Sequence, residues 1–388
     1  MPRSTKCPRS WCRHHALKGG LALIVLASYM GLTQLALAGT WSFTGTLDTQ
    51  RRFHRAVLLM NNKVLVMAGT NTKQLDSAEL YDFLTGTWTL TGSLNTKREN
   101  PTATLLMNGN VLVVGGAWFG PMAGAELYDP AAGTWISTGS LNKSHSWHTA
   151  TLLRNGKVLI AGGQTSGIGT FAEAELYDTA TEKWSYTGSL NLKRYGHTAT
   201  LLPNGKVLVV GGRDGLNYLS ETELYDPDTG TWSLTGSLNT GRWAHTATLL
   251  TNGMVLVAGG TSPNQLDSAE LYDPNTSTWS ITGSLNKSRH YHTATLLTNK
   301  KVLVAGGNSI ESADSAELYD PNTSTWSIAG SLSEGRHYHT ATLLNNGKVI
   351  IAGGFTGTAT LESCELYDPG LIVNPIIVSP IFQLLLFN

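Results

Sequence analysis

Residues 242–279 read RWAHTATLLTNGMVLVAGGTSPNQLDSAELYDPNTSTW, and this stretch decides the fold. Alternation over 246–250 predicts a first strand. Asn252-Gly253 predicts a tight hairpin turn. The continuous apolar run 254–258 predicts a second strand covered on both faces, ending at Gly259-Gly260. A variable loop follows. Residues 269–273 then predict a third strand, Asp273-Pro274-Asn275 a turn, and 278–282, centred on Trp279, a fourth.

The unit occurs seven times. Trp stands at 41, 88, 135, 184, 232, 279 and 326. Glu-Leu-Tyr-Asp begins at 79, 126, 175, 223, 270, 317 and 365. The glycine pair begins at 115, 162, 211, 259, 306 and 353, with Ala68-Gly69 in its place in the first unit. Such a period, with four strand signals per unit, marks the blades of a propeller. A hydrophobic run, Gly-Gly, Tyr, and Trp seven residues later is a pattern that resembles the kelch repeat, over residues 40–369. The resemblance implies an all-β, seven-bladed β-propeller of four-stranded blades that binds ligands mainly on one face. The glycines permit close backbone approach. The Tyr and Trp rings are expected to fill the wedges between blades, each fully buried Trp contributing at most roughly 4–6 kcal/mol.

The same pattern predicts how the ring closes. Residues 40–44 form a Trp strand with no partners before it, and the last unit stops at Tyr367-Asp368-Pro369 with no Trp after it. The N-terminal strand is therefore expected to be the outer strand of the blade begun at His339, which hides the open edges.

Residues 1–38 read as a secretory signal peptide. Arg3, Lys6, Arg9, Arg13 and Lys18 precede an apolar run, and Ala36-Leu37-Ala38 supplies a cleavage pattern. An uncleaved anchor is the rival reading; Trp41, already in the first repeat element, counts against it. The expected product is a secreted or extracytoplasmic chain starting at Gly39, without a stable membrane span. The propeller is placed at 39–370, followed by an apolar tail, 371–388, of unassigned role. Of 27 basic residues five lie in the leader, leaving 22 against 27 acids, so no basic footprint of a nucleic-acid binder is present. Cys364 is the only Cys after residue 38, so no internal disulfide is expected.

Function is sought on the face carrying the loops between strands four and one and between strands two and three. Each unit opens with Arg-x-x-His or a variant. Arg51, Arg98, His145, Arg194, Arg242, Arg289 and Arg336 hold the first position; His54, Pro101, His148, His197, His245, His292 and His339 hold the fourth. A feature present in nearly every blade reads as scaffold. The Arg and His are expected to bond turn carbonyls or to pair with the Glu of Glu-Leu-Tyr-Asp, which shares a strand face with Tyr, so that its charge needs a buried partner, and Arg/His–Glu links between or within blades are predicted. Positions that break the symmetry are the candidate ligand contacts: Phe53, Glu99, Asn100, Trp118, Trp147, Tyr195, Arg213, Tyr218, Trp243, Tyr291 and Tyr338. Aromatic rings with Arg and Asn around a channel mouth suit sugars by stacking, and suit a protein partner equally.

A non-catalytic binding module for a glycan or protein is the expected function. A sugar-acting enzyme on the same face is the alternative. The resemblance extends to copper radical oxidases of the galactose-oxidase type and to mutarotases. The oxidase chemistry implies a Cys crosslinked to a Tyr, with two His and a second Tyr on copper. Cys364 instead takes a slot held by Ala in five units and reads as a core residue. A mutarotase would need only acid–base groups, such as Glu99 or a His. No phosphate loop, serine elbow, zinc helix or calcium loop occurs, and no cofactor, metal or catalytic residue is assigned.

Overall fold

The computed structural model describes residues 39–370 except 118–119, 121, 166–168 and 310–312. The leader 1–38, the tail 371–388 and Trp118 lie outside the described residues. Among those described, no helix is long and apolar enough to cross a membrane.

Seven four-stranded antiparallel sheets form a propeller. In the unit quoted above the strands are Thr246–Leu249, Val255–Ala258, Ala269–Asp273 and Thr278–Ile281. Their ends fall within one residue of the expected ones. The second strand is buried at every position, as its unbroken apolar run requires. At the hairpin only Gly253 of the Asn-Gly pair has a left-handed φ, +86°. Asn252 instead caps the turn, its side-chain oxygen accepting from the Met254 amide at 3.1 Å. Asn62 and Lys300 take left-handed φ at the corresponding turns.

The first strands line the axis. Each touches the next, and Thr340–Leu343 touches Arg55–Leu58. The sheet begun by Thr340–Leu343 continues through Val349–Ala352 and Cys364–Asp368 to Thr40–Phe43. Trp41 stands opposite Tyr367 in that sheet, as Trp279 stands opposite Tyr272 within its own blade.

The wedges are filled by Tyr more than by Trp. The seven Tyr of Glu-Leu-Tyr-Asp are fully buried. Six of the seven repeat Trp are only half-buried, so their hydrophobic contribution falls below the full-burial figure. The Trp ring tilts on its Tyr, 5.1 Å between centroids for Tyr272–Trp279. Its indole N–H donates to the preceding blade, as Trp279 does to the Gly236 carbonyl at 2.9 Å. The Tyr hydroxyl pairs across the same seam with a Thr, Tyr272 with Thr235 at 2.8 Å. The glycine pair serves the seam too. A Cβ on Gly259 (φ +62°) would stand 2.6 Å from the Arg289 carbonyl of the next blade, and the Gly260 amide donates to that carbonyl at 2.8 Å.

Candidate functional site

The Arg-x-x-His segments build the channel, and each of their positions has its own task. The first position is a clamp inside the blade. Six Arg meet the six corresponding Glu at 2.7–2.9 Å, all nearly fully buried. His145 faces Glu175 at 3.7 Å in the seventh. The carboxylate is satisfied further by its own leading loop: Glu270 accepts from Arg242 at 2.7 Å, the Asn239 amide at 2.8 Å and the Asn239 side chain at 2.8 Å. Arg242 also donates to the Gly259 and Ser268 carbonyls, both at 2.9 Å. In each Arg–Glu pair the charges meet and most of the remaining hydrogen-bonding groups are used, with Nε of Arg194 and of Arg289 left without a partner among the described residues, so these pairs are scaffold.

The fourth-position His does not pair with Glu. It crosses the seam to the Thr that opens the first strand of the preceding blade: His245 to Thr198 at 3.0 Å, His292 to Thr246 at 2.9 Å, and His54 to Thr340 at 2.9 Å. Nδ1 of each fourth-position His is buried without a partner among the described residues, so the tautomer with Nε2–H donating to Thr is the less costly one. Burial holds these imidazoles neutral, with His245 and His339 pushed down to about 3.

The third position bends the chain into the channel. Phe53, Asn100, Trp147, Gly196, Ala244, Tyr291 and Tyr338 all have φ between 52° and 60°. Their backbones join blade to blade. Phe53 donates to the Tyr338 carbonyl at 3.2 Å, Asn100 to Phe53 at 2.9 Å, and Gly196 to Trp147 at 2.9 Å. Glycine adopts this conformation freely, whereas a side chain there costs about 1–2 kcal/mol. Only Gly196 uses that freedom. Trp243, at the second position, fills the space over it; a Cβ on Gly196 would stand 1.9 Å from the Trp243 ring nitrogen.

The aromatic side chains converge over the axis. Phe53 stacks on Tyr338 at 3.8 Å between centroids, Tyr338 meets Tyr291 at 4.4 Å, Tyr291 meets Trp243 at 5.4 Å and Trp243 meets Trp147 at 6.1 Å. Six of the eleven sequence candidates, Phe53, Asn100, Trp147, Trp243, Tyr291 and Tyr338, line one central cavity of about 240 Å³ above His148, His197, His245, His292 and His339. Tyr195, Arg213 and Tyr218 stand outside it, on the rim. Tyr195 packs on Trp243 at 6.2 Å, and the Arg213 guanidinium lies 4.8 Å from the Tyr218 ring centre. Glu99 is also outside the cavity, beside Gln74, and burial raises its pKa.

The sequence reading missed Arg55. Every other blade opens its first strand with Thr, namely Thr102, Thr149, Thr198, Thr246, Thr293 and Thr340. The first blade has Arg55 there, and it lines the cavity. The blade that would send a His to that Thr has Pro101 instead, so the two departures form one local change. The signal in the sequence is the fifth position of the repeat, Arg in the first blade where the other six have Thr.

Copper of the radical-oxidase kind does not fit these donors. The imidazoles are held by Thr around the ring, and no group of three or more His, Cys, Asp or Glu among the described residues is placed to hold a metal ion. Cys364 is fully buried beside Tyr81 in the hydrophobic core between blades, and burial pushes its thiol up to about 12.

The chain belongs to the kelch-repeat family, a class of β-propeller whose domains generally bind proteins. The KLHDC2/KLHL20/DRC7 Kelch-repeats domain matches residues 147–364, and a single Kelch motif matches residues 51–95. No curated protein matches the sequence. A fungal alcohol oxidase of the AA5 family, solved in complex with copper, is similar in fold: TM-score 0.72 at 17% identity, covering 86% of this chain and 76% of that chain.

Proposed function

We propose that this chain is a secreted binding module that docks a protein partner on the face carrying the channel mouth. The observation that carries this reading is the rim at residues 213–218. Leu216 is 86% exposed at the tip of its loop, held there by Asp214, whose carboxylate accepts from the Leu216 and Asn217 amides at 2.9 and 2.8 Å. An apolar tip flanked by Arg213 and Tyr218 has the composition of an interface anchor. The family's general habit of binding proteins supports it.

A glycan is the second ligand class, favoured by the number of aromatic rings at the mouth. Those rings already use much of their surface on one another, as the 3.8 Å Phe53–Tyr338 stack shows, and a sugar needs a free face. A sugar-acting enzyme on this face remains the alternative, with the raised Glu99 carboxyl as its candidate acid.

The purified chain is to be panned against a displayed peptide library and a glycan array. The reading expects peptide binders whose affinity falls about tenfold or more in Leu216→Asp/Tyr218→Ala. Glycan binders alone, or peptide binding indifferent to that double variant, would overturn it. Anomer interconversion abolished by Glu99→Gln would favour the enzyme. N-terminal sequencing of the exported protein is expected to begin at Gly39.

A further inference from the structure

We propose that the central channel is a binding site for a small organic monocarboxylate, held by the Arg55 guanidinium beside Asn100 under the aromatic mouth. The inference goes beyond the docking face, because it concerns a cavity of about 240 Å³ that admits a small molecule and not a macromolecular surface.

Among the described residues Arg55 is the only ionised side chain lining the cavity at neutral pH; no described Asp or Glu lines it, and the histidines there are held neutral. All six of the repeat's first-position Arg have carboxylates. Arg55 has none among the described residues. Its hydrogen bonds go to the Asn100 side-chain oxygen at 2.6 Å and the His54 carbonyl at 3.2 Å, both neutral acceptors. Arg55 is only partly exposed and lines the cavity, and burial lowers its pKa to about 10. It still carries its proton at neutral pH. A cation in such a place is costly unless something of opposite charge joins it.

The form of the site then selects the anion. A guanidinium presents a planar fork, and two of its N–H groups suffice for a carboxylate. Asn100 has a left-handed φ of 52° that aims its side chain at Arg55. Above the pair, Phe53, Trp147 and Tyr338 supply apolar walls, which suit the hydrocarbon body of a carboxylic acid better than a hydrated inorganic ion. Pro101 removes the His that would otherwise compete for this corner.

Benzoate tests this on the full chain, by titration against intrinsic Trp fluorescence and by thermal shift. Trp147 and Trp243 line the cavity and report occupancy. Saturable binding of benzoate is expected, with benzamide, its neutral isostere, weaker by about tenfold or more, since a charge-assisted bond is lost. Arg55→Thr, the residue of the other six blades, is expected to abolish the benzoate preference. Arg55→Lys keeps the charge and loses the fork, and is expected to weaken benzoate while keeping it ahead of benzamide. Equal binding of benzamide, no saturable change up to about 10 mM benzoate, or a stronger response to phosphate or chloride would each overturn the assignment. The wild-type comparison of benzoate with benzamide decides the matter if a variant fails to fold. Leu216→Asp/Tyr218→Ala lies outside the cavity and should leave benzoate binding unchanged, which separates this test from that of the docking face.

Discussion

At the scale of single residues, the channel mouth is held in a conformation that side chains resist. Tyr338 has φ 55° and stacks on Phe53. Two opposing terms therefore act at one position: backbone strain of about 1–2 kcal/mol and an aromatic pair worth about 0.5–1.5 kcal/mol beyond burial. Tyr338→Ala keeps the strain and loses the ring. Tyr338→Gly loses the ring and relieves the strain. The glycine variant is expected to be the more stable of the two by roughly 1 kcal/mol in urea denaturation. An alanine variant at least as stable would show that the left-handed conformation stores nothing. The eleven candidates were legible at this scale because they depart from a repeat that is otherwise regular. Arg55 departs in the same way, but at a position where Thr looked like ordinary strand sequence; its importance depends on Pro101, a neighbour in space from another blade.

At the scale of the blade, one seam is incomplete. Six seams pair the buried Tyr hydroxyl with a Thr of the preceding blade. Where Thr would serve Tyr367, the chain has Ala329, and the Tyr367 hydroxyl is buried without a partner among the described residues. Trp41 still donates to the Ala329 carbonyl at 2.8 Å. Ala329→Thr supplies the missing partner in a slot that accepts Thr elsewhere. It is expected to stabilise by about 0.5–1.5 kcal/mol, read as a raised urea midpoint. A lowered midpoint would mean that the seam between the last two blades is packed differently from the others. The strand ends were legible from the sequence to within a residue. The turn type was not, because Asn-Gly is compatible with more than one hairpin; here the Asn side chain accepts a backbone amide and only the Gly turns left-handed.

At the scale of the whole molecule, six neutral histidines tie six of the seven seams at the first strands. Their folded-state pKa values lie below the ordinary 6.5, those of His245 and His339 at about 3. The unfolded chain therefore binds more protons than the folded one between these limits. Stability is fully present above pH 6.5 and is lost as pH falls towards 3, by up to about 1.4 kcal/mol per pH unit for each histidine. Cooperative acid unfolding of the ring is expected, well above the pH at which carboxylates alone protonate. A urea midpoint unchanged between pH 7 and pH 4.5 would refute the assignment of neutral, buried imidazoles. His245→Asn should flatten that dependence, since one titrating seam is removed.

The sequence alone determined the blade count, the strand order within a blade, and the Arg–Glu pairing, because each rests on a short-range pattern repeated seven times. A hydrophobic period, a turn residue and a buried carboxylate make their demands locally. The tertiary structure alone decided that the histidines bind Thr across seams and that Trp243 folds over Gly196. It likewise decided that Arg55 stands beside Asn100 in the cavity with no carboxylate among the described residues to meet it. These contacts join residues roughly 45 or more positions apart across blade boundaries, and their geometry exists only once the ring has closed.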